Sequence, residues 1–363
     1  MKRFRPFLID LYIVKKFLGT FFFALSLIIC IAVIFDFSEK IDDFLEKQAP
    51  LKAIIVDYYL NFIPYFAVLF SSLFVFISVL FFTSKMAGNS EIIAIFSSGV
   101  SLRRLLYPYF VSSVIIASLS YYLTNYVIPH NTYSRLLFED VYYHSSPVYY
   151  SETNIHRQLQ PGQFIYMEGF STLSDIGRRF SIEQYRGDTL VSKINADIVR
   201  WDSAKNKWTM LNYYRRDFIS GKEKVTTGLM CDTTLNMHPR DFKQRENIIE
   251  TMDKPRLDRY IENQKLQGSP IEWLLIEKHK RMAYPFSTII LTVIAVCVSS
   301  RKVRGGIGMH MGLGLMISFS YILFMQFAAQ FAIGGSISPQ IAVWIPNLLY
   351  AAIALFLFYK TPQ

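Results

Sequence analysis

Charged residues are scarce in this chain of 363 residues. They make up 18% of it, whereas hydrophobic residues make up 52%; an average soluble domain has roughly 25% charged residues. Cysteine is scarce too, since only Cys30, Cys231 and Cys297 occur and no Cys/His pair has the spacing of a zinc site. These shortages exclude disordered, collagen-like and disulfide-rich classes and favour an integral membrane protein.

The usual patterns of nucleotide and catalytic chemistry are also missing. No G-x-x-x-x-G-K-[ST] pattern occurs, and the glycines of 305–314 lack the preceding strand that a dinucleotide site requires. The acidic residues of the polar middle region have no recognisable catalytic spacing. We therefore expect no catalytic residue, no metal and no cofactor, and we place any ATP hydrolysis in a partner subunit.

Six apolar runs are long enough to cross a membrane. Residues 17–35, 58–82, 105–128 and 282–300 contain no charged residue, and the uncharged stretch 305–359 predicts two more spans at 307–333 and 341–359. Each can cross a hydrocarbon core of about 30 Å at about 1.5 Å per residue. The first run is too long for a signal peptide, and acidic residues follow it, so we expect an uncleaved span. Uncharged spans argue against an ion-driven secondary transporter.

The excess positive charge marks one side of that membrane. The net charge of +10 lies in 1–16, 83–104, 301–304 and at Lys360, and the remaining segments balance. Lys and Arg in short loops are typical of the cytoplasmic side. The sequence thus predicts cytoplasmic termini, an external insert between spans 3 and 4, and no nucleic-acid partner.

That insert has the pattern of a β domain. Apolar and polar residues alternate in 163–168, 179–185, 190–201, 208–214 and 229–237, with turn residues at 161–162, 187–188, 205–206 and 220–221. Such strands predict a β-sandwich or jelly roll. Residues 255–281 are helical in pattern, with an interruption near 268–270. The predicted domains are 1–129, 130–254, 255–281 and 282–363.

A short helix is predicted between spans 2 and 3, near residues 89–100. Asn89 or Ser90 can cap it, Glu91 suits its positive end and Gly99 can end it. Its apolar residues are Ile92, Ile93, Ile95 and Phe96. The pattern leaves two roles open: an interfacial connector, or a knob that docks in a separate motor subunit.

With this layout, nearly the whole chain resembles the lipopolysaccharide export permeases of the LptF/LptG type. The resemblance includes residues 91–101, a hairpin of 196–202 with 207–212, the approach to span 4 at 278–285, and Pro339 with 344–347. It implies an integral α-helical membrane protein of the inner membrane, with six transmembrane helices and an inserted periplasmic β-jelly-roll-like domain. It also implies a non-hydrolysing subunit of an ATP-binding-cassette transporter.

The same resemblance implies partners and site residues. The partners would be a cytoplasmic ATPase subunit (LptB-like), a paralogous permease, a periplasmic bridge protein (LptC/LptA-like) and lipopolysaccharide. Spans 1 and 5 would form a lateral gate. The short helix would be the coupling helix, with Glu91, Ile92, Ile95, Phe96 and Gly99.

Substrate contact is expected from cations at the outer mouth and from the apolar cavity. The candidates are Lys40, Lys278, Lys280, Arg281 and Phe327. Lys and Arg would pair with lipid phosphates, although they could equally be interfacial anchors, and acidic neighbours oppose a simple positive rim at Lys40. The small-residue pairs Gly308/Gly312 and Gly314/Ser318 predict close helix packing.

Two other functions stay open. The chain could be an export permease for another lipid or lipoprotein. It could instead be a membrane scaffold that transports nothing and whose β domain only binds partners.

Overall fold

The computed structural model describes residues 8–143, 153–172, 174–219, 222–242, 248–266, 271–300 and 306–361. Within these ranges, six helices are long and apolar enough to cross a membrane. Spans 1 to 6 are Leu8–Glu46, Leu51–Gly88, Leu102–Tyr142, Glu272–Ser299, Gly308–Ile333 and Pro339–Lys360. The prediction of a helical membrane protein with six spans is confirmed.

Some predicted features lie outside the described residues. They are the basic residues Lys2, Arg3, Arg5, Arg301, Lys302 and Arg304, the turn at 220–221, and the interruption at 268–270. The chain divides into two compact units, one of helices (Met1–Tyr143, Glu250–Lys254 and Glu272–Gln363) and one built on a sheet (His144–Ile249 and Pro255–Ile271).

Spans 1 to 4 extend well beyond the uncharged runs that predicted them. Span 1 has 39 residues, which at about 1.5 Å per residue makes it roughly 58 Å long. Span 3 continues to Tyr142, and span 4 begins at Glu272, ten residues before its predicted start. Charged residues end an apolar run, but the backbone hydrogen bonds of a helix continue in water. The sequence therefore located the membrane-crossing part of each helix, and not the ends of the helix.

The helical unit has two distinct ends. The short-helix end carries the helix Glu91–Ser97 and the starts of spans 1 and 3. The far end carries Glu46, Leu51 and Tyr142, where spans 1 to 3 meet again.

Span 4 is the central helix of this unit. It packs against spans 2, 3, 5 and 6, and 61% of its most apolar stretch is buried, against 17% for span 1 and 28% for span 5. Asn347 on span 6 joins three spans, because its amide donates to the carbonyl of Ala283 at 2.9 Å and its oxygen accepts from the Tyr321 hydroxyl at 2.8 Å. Spans 1 and 5 thus expose most of their apolar surface.

The second unit contains a six-stranded antiparallel sheet. Its strands are β1 Thr153–Gln160, β2 Gln163–Ser171, β3 Ile176–Arg186, β4 Thr189–Asp202, β5 Lys207–Ile219 and β6 Lys222–Thr233. Each strand pairs with the next in the sequence, in the order β1 to β6. The helix Lys254–Leu266 follows the sheet.

The inserted β domain is confirmed, and so is the predicted hairpin, in which Trp201 pairs with Trp208 and Asp202 with Lys207. The described strands follow a meander order and make none of the crossovers of a jelly roll, because every turn between them is short. Gly162 (φ 80°) and Gly187 (φ 62°) supply left-handed backbone for two of these turns.

One face of the sheet holds the core of this unit. Trp208 is fully buried there, beside Phe170 and Phe242, and its indole nitrogen donates to the carbonyl of Met237 at 3.0 Å. Gly177 lets two strands approach, since a Cβ at this position would lie 2.2 Å from the sulfur of Met167. The alternating apolar and polar residues that predicted the strands therefore point alternately to this core and to the opposite face of the sheet.

Candidate functional site

The short helix Glu91–Ser97 lies between two left-handed backbone positions. Ser90 before it has φ 62°, and Gly99 after it has φ 84° with its N–H donating to the carbonyl of Phe96 at 2.9 Å. Ser90 stands at the cap position, but its side chain makes no capping hydrogen bond. Instead, the Asn89 amide donates to the Glu91 carboxylate at 3.3 Å. The helix is thus a rigid piece with a sharp corner at each end.

The two faces of this helix have different roles. Ile92 is 1% exposed, and Ile95 and Phe96 pack partly buried against the same apolar core. Ile93 is 51% exposed, and Ala94 is exposed beside it. Three of the apolar residues singled out by the sequence therefore hold the helix on the bundle. The face open to a partner is Ile93, Ala94 and Ser97, which helical spacing from Ile92 could have identified.

Hydrogen bonds hold the start of span 1 against the short helix and the first turn of span 3. The Arg104 guanidinium in the first turn of span 3 donates to both carboxylate oxygens of Asp10, at 2.7 and 2.5 Å. The Tyr12 hydroxyl donates to the Glu91 carboxylate at 3.3 Å. Sequence reasoning gave no role to Asp10, Tyr12 or the pairing of Arg104, because the partners are far apart in the chain.

At the far end, Lys40 lies in a small polar network. Its ammonium donates to Asp36 at 2.8 Å and to the Tyr58 hydroxyl, while Tyr58 and Tyr59 donate to Asp36 at 2.9 and 3.2 Å. Phe44 and other aromatic side chains surround the network. Tyr58 and Tyr59 belong to the π-helical turn Ile54–Tyr59 that starts span 2. Lys40 is thus engaged within the chain, and its predicted phosphate contact stays a prediction.

Arg281 is engaged in the same way. It is 5% exposed, and it donates to the carbonyl of Met252 at 2.6 Å and to Glu277 at 3.2 Å. Glu250 lies nearby, and its burial raises the pKa of its carboxyl, although the charge of Arg135 acts in the opposite direction.

Lys278 and Lys280 are partly buried on span 4, and Lys280 donates to Gln326 of span 5 at 3.4 Å. Phe327 is 60% exposed on span 5. The contacts of these residues with lipid stay predictions.

The predicted small-residue pairs behave differently from each other. A Cβ at Gly314 would lie 2.0 Å from Cδ1 of Leu80, and Ser318 is 1% exposed, so spans 5 and 2 pack closely there. A Cβ at Gly308 or Gly312 would have nothing within 4 Å. Close packing at Gly308 and Gly312 would need a surface other than the described residues of this chain.

The model of one protein family, described as the lipopolysaccharide export system permease LptF/LptG, matches residues 11–360. The chain belongs to that family. Among curated proteins, no sequence matches it. The LptF/LptG proteins are permease components and not catalytic subunits. Among the described residues of this LptF/LptG chain, no group of three or more His, Cys, Asp or Glu could hold a metal ion.

The sheet of this LptF/LptG chain ends in an exposed strand. β6 pairs with β5 on one side, and no described strand pairs with its other side. Its side chains are exposed at most positions, including Leu229 at 82% and Met230 at 58%. A free strand edge with apolar side chains is a surface that another strand can join.

Proposed function

We propose that this LptF/LptG family member is a permease subunit of an ATP-binding-cassette transporter. It takes lipopolysaccharide from the outer leaflet of the inner membrane and passes it to a periplasmic bridge that leads to the outer membrane. The family match over residues 11–360 carries the proposal. A cytoplasmic ATPase, a paralogous permease and the bridge protein complete the machine.

The short helix supports the ATPase contact. It is placed between spans 2 and 3 and presents Ile93 and Ala94 outward, while Ile92 anchors it. The chain has no P-loop pattern of its own, so the energy of ATP has to reach it through a surface. A small apolar knob that enters a groove is suited to that task.

The exposure of spans 1 and 5 supports the lateral gate. These two helices bury the smallest shares of their apolar stretches within the chain, 17% and 28%. In the proposed machine, lipid tails and the partner permease cover these surfaces. The predicted cations Lys40, Lys278, Lys280 and Arg281 remain the candidates for phosphate contact.

The β domain supports transfer towards a bridge. The free edge of β6 could accept a strand from the bridge protein or from the partner's domain, and backbone hydrogen bonds would continue the sheet.

Reconstitution tests the function directly. The chain is placed in lipopolysaccharide-containing proteoliposomes with its ATPase and partner permease, and ATP is added. We expect release of lipopolysaccharide to the bridge protein with ATP and none with a non-hydrolysable analogue. A chain that never co-purifies with an ATPase would contradict the proposal and favour the scaffold alternative.

Photo-crosslinking tests the substrate. A benzophenone side chain at Phe327 on span 5 is expected to capture lipopolysaccharide in native membranes. The matched control is Leu355 on span 6, which is similarly exposed at 59% and should label bulk phospholipid. Labelling of phospholipid alone at Phe327, or of a lipoprotein, would favour an export permease for another substrate.

Cysteine accessibility tests the orientation. In a variant without Cys30, Cys231 and Cys297, a cysteine at the exposed Asp188 of the β3–β4 turn should react with an impermeant maleimide once the outer membrane is permeable. A cysteine at the exposed Ser98 should react only after the inner membrane is broken. The reverse order would overturn the proposed periplasmic position of the β domain.

A further inference from the structure

The pairing of Arg104 with Asp10 is not explained by the helix that carries Arg104. A helix N-terminus has a partial positive charge, which favours Asp10 at the start of span 1 and opposes Arg104 at the start of span 3. The bidentate hydrogen bond from Arg104 to Asp10, at 2.7 and 2.5 Å, offsets this unfavourable interaction of Arg104 with its own helix. Because both oxygens are held, the contact fixes the orientation of the two helices as well as their separation.

The first turn of span 3 is joined to the rest of the helix by one backbone hydrogen bond fewer than usual. Pro108 has no backbone N–H, so the carbonyl of Arg104 loses its partner four residues along the helix. On the other side, the left-handed corners at Ser90 and Gly99 separate the short helix from spans 2 and 3. The short helix is therefore bounded by a left-handed corner at each end, and the first turn of span 3 lies between the second corner and Pro108.

Span 1 is attached to the short helix and to the first turn of span 3 by two polar contacts and by packing. Arg104 holds Asp10, and Glu91 accepts from Tyr12 at 3.3 Å. Ile92 belongs to the same apolar core as Ile13 and Phe17 of span 1. A movement of the short helix consequently pulls on span 1 at Asp10 and at Tyr12.

We infer that Asp10 and Tyr12 are positioning residues that transmit movement of the short helix to span 1, with Arg104 and Glu91 as their partners. The inference rests on the proposed function, in which an ATPase moves the short helix and span 1 lines the lipid path. Without these contacts the ATPase still binds and hydrolyses ATP, but span 1 does not follow. Hydrolysis and lipid release then become uncoupled.

The functional test measures ATP turnover and lipid release separately in the reconstituted complex. For Arg104→Gln and for Asp10→Asn, ATP turnover is expected to stay close to that of the wild type. The lipid released per ATP should fall about ten-fold, within the range of typical coupling between sites. Tyr12→Phe, which removes one weaker hydrogen bond, should cause a smaller fall in the same ratio.

Two further variants separate coupling from general damage. The charge exchange of Asp10→Arg with Arg104→Asp restores an oppositely charged pair and should recover most of the lipid released per ATP. Arg103→Gln is the matched control: the neighbouring arginine is exposed, and its guanidinium lies 5.9 Å from the ring of Phe358. This control should behave as the wild type.

A distance measurement tests, without relying on transport, whether the contacts of Asp10 and Tyr12 hold span 1 in place relative to the short helix. Spin labels at Ser98 and Gly19, both exposed, should give a narrow distance distribution in the wild-type chain and in Arg103→Gln. The distribution should be broad in Arg104→Gln and narrow again in the charge exchange. If Arg104→Gln leaves both the distribution and the lipid released per ATP unchanged, the inference is overturned. If the distribution broadens but the wild-type complex releases no lipid with ATP, the contacts do hold span 1 in place and the proposed function fails.

Discussion

Lys40 donates a hydrogen bond of 2.8 Å to Asp36, one turn earlier on the same helix. Both side chains are mostly buried, at 13% and 15% exposure, and two tyrosine hydroxyls complete the surroundings of the carboxylate. A charge pair in such a place costs desolvation and is held together by its partners. Its first role in this chain is to hold the far end of span 1 against span 2.

Removing one member of this pair should destabilise the protein more than removing both. Lys40→Met leaves a buried carboxylate without its cation, so we expect a loss of roughly 1–3 kcal/mol of unfolding free energy. Asp36→Leu combined with Lys40→Met should lose less. The measurement is thermal unfolding in detergent, with the exposed Lys52→Met as control. Full stability of Lys40→Met together with impaired transport would instead assign Lys40 to substrate contact.

Substitutions at Ile93 and at Ile92 should affect different properties, namely binding of the ATPase and stability of the fold. Ile93→Asp places a charge on the exposed face of the short helix and should reduce ATPase co-purification by about ten-fold or more, with no change in the unfolding midpoint. Ile92→Ala leaves a cavity under the helix and should lower the unfolding free energy by roughly 2–4 kcal/mol. Unchanged ATPase binding by Ile93→Asp would contradict the proposed docking face.

Gly314 and Gly312 should respond differently to the same change. Gly314→Ala places a methyl group 2.0 Å from Cδ1 of the buried Leu80, so we expect a loss of about 1–3 kcal/mol from overpacking. Gly312→Ala meets nothing within 4 Å and should be neutral within this chain. Leu80→Ala should partly rescue Gly314→Ala. Equal unfolding midpoints for the two single variants would contradict the close contact between spans 2 and 5.

Acid should destabilise the β domain through three carboxylates with lowered pKa values. Lys193 at 2.7 Å lowers the pKa of Glu183. The Ser192 hydroxyl and then Arg215 lower that of Asp217, and the Thr209 hydroxyl and then Lys205 lower that of Asp232. A lowered pKa means that the folded state binds fewer protons than the unfolded state. The stabilisation is therefore complete above the unfolded pKa values, near pH 4, and is lost as the pH falls through the folded ones.

Tryptophan emission can follow this transition in the full chain. With Trp273→Phe and Trp344→Phe, the remaining Trp201 and Trp208 both lie in the sheet. Glu183→Gln should weaken the loss of stability below pH 4, whereas Asp188→Asn, in the exposed β3–β4 turn, should leave it unchanged. A pH profile identical in both variants would mean that the pair of Glu183 and Lys193 contributes no pH dependence.

In the β unit, the alternation of apolar and polar residues was sufficient to predict some strands and not others. Alternating residues located β2 to β5, and the predicted turn at 205–206 lies between β4 and β5, where Asp202 pairs with Lys207. β1 was missed, and β6 was predicted at 229–237 although it is Lys222–Thr233. β6 is exposed at most positions and therefore has little alternation to detect.

For the short helix too, some features could be predicted from the sequence and others could not. The sequence located the short helix, its end at Gly99 and its acidic start, because these depend on neighbouring residues. It did not indicate which face is buried, nor that Glu91 receives the Tyr12 hydroxyl. Those facts depend on how span 1 packs against the rest of the bundle.

The sequence alone determined the six membrane-crossing runs, the inserted β domain and the predicted orientation. A helix that crosses lipid needs a long uncharged run, and the residues of a strand alternate between a core and a surface, so both features can be recognised from consecutive residues. Only the tertiary structure decided that Arg104 meets Asp10 across 94 positions, that Lys40 and Arg281 are held by internal partners, and that Ile93 points outward. Such pairings follow from the packing of helices, in which residues far apart in the chain become neighbours.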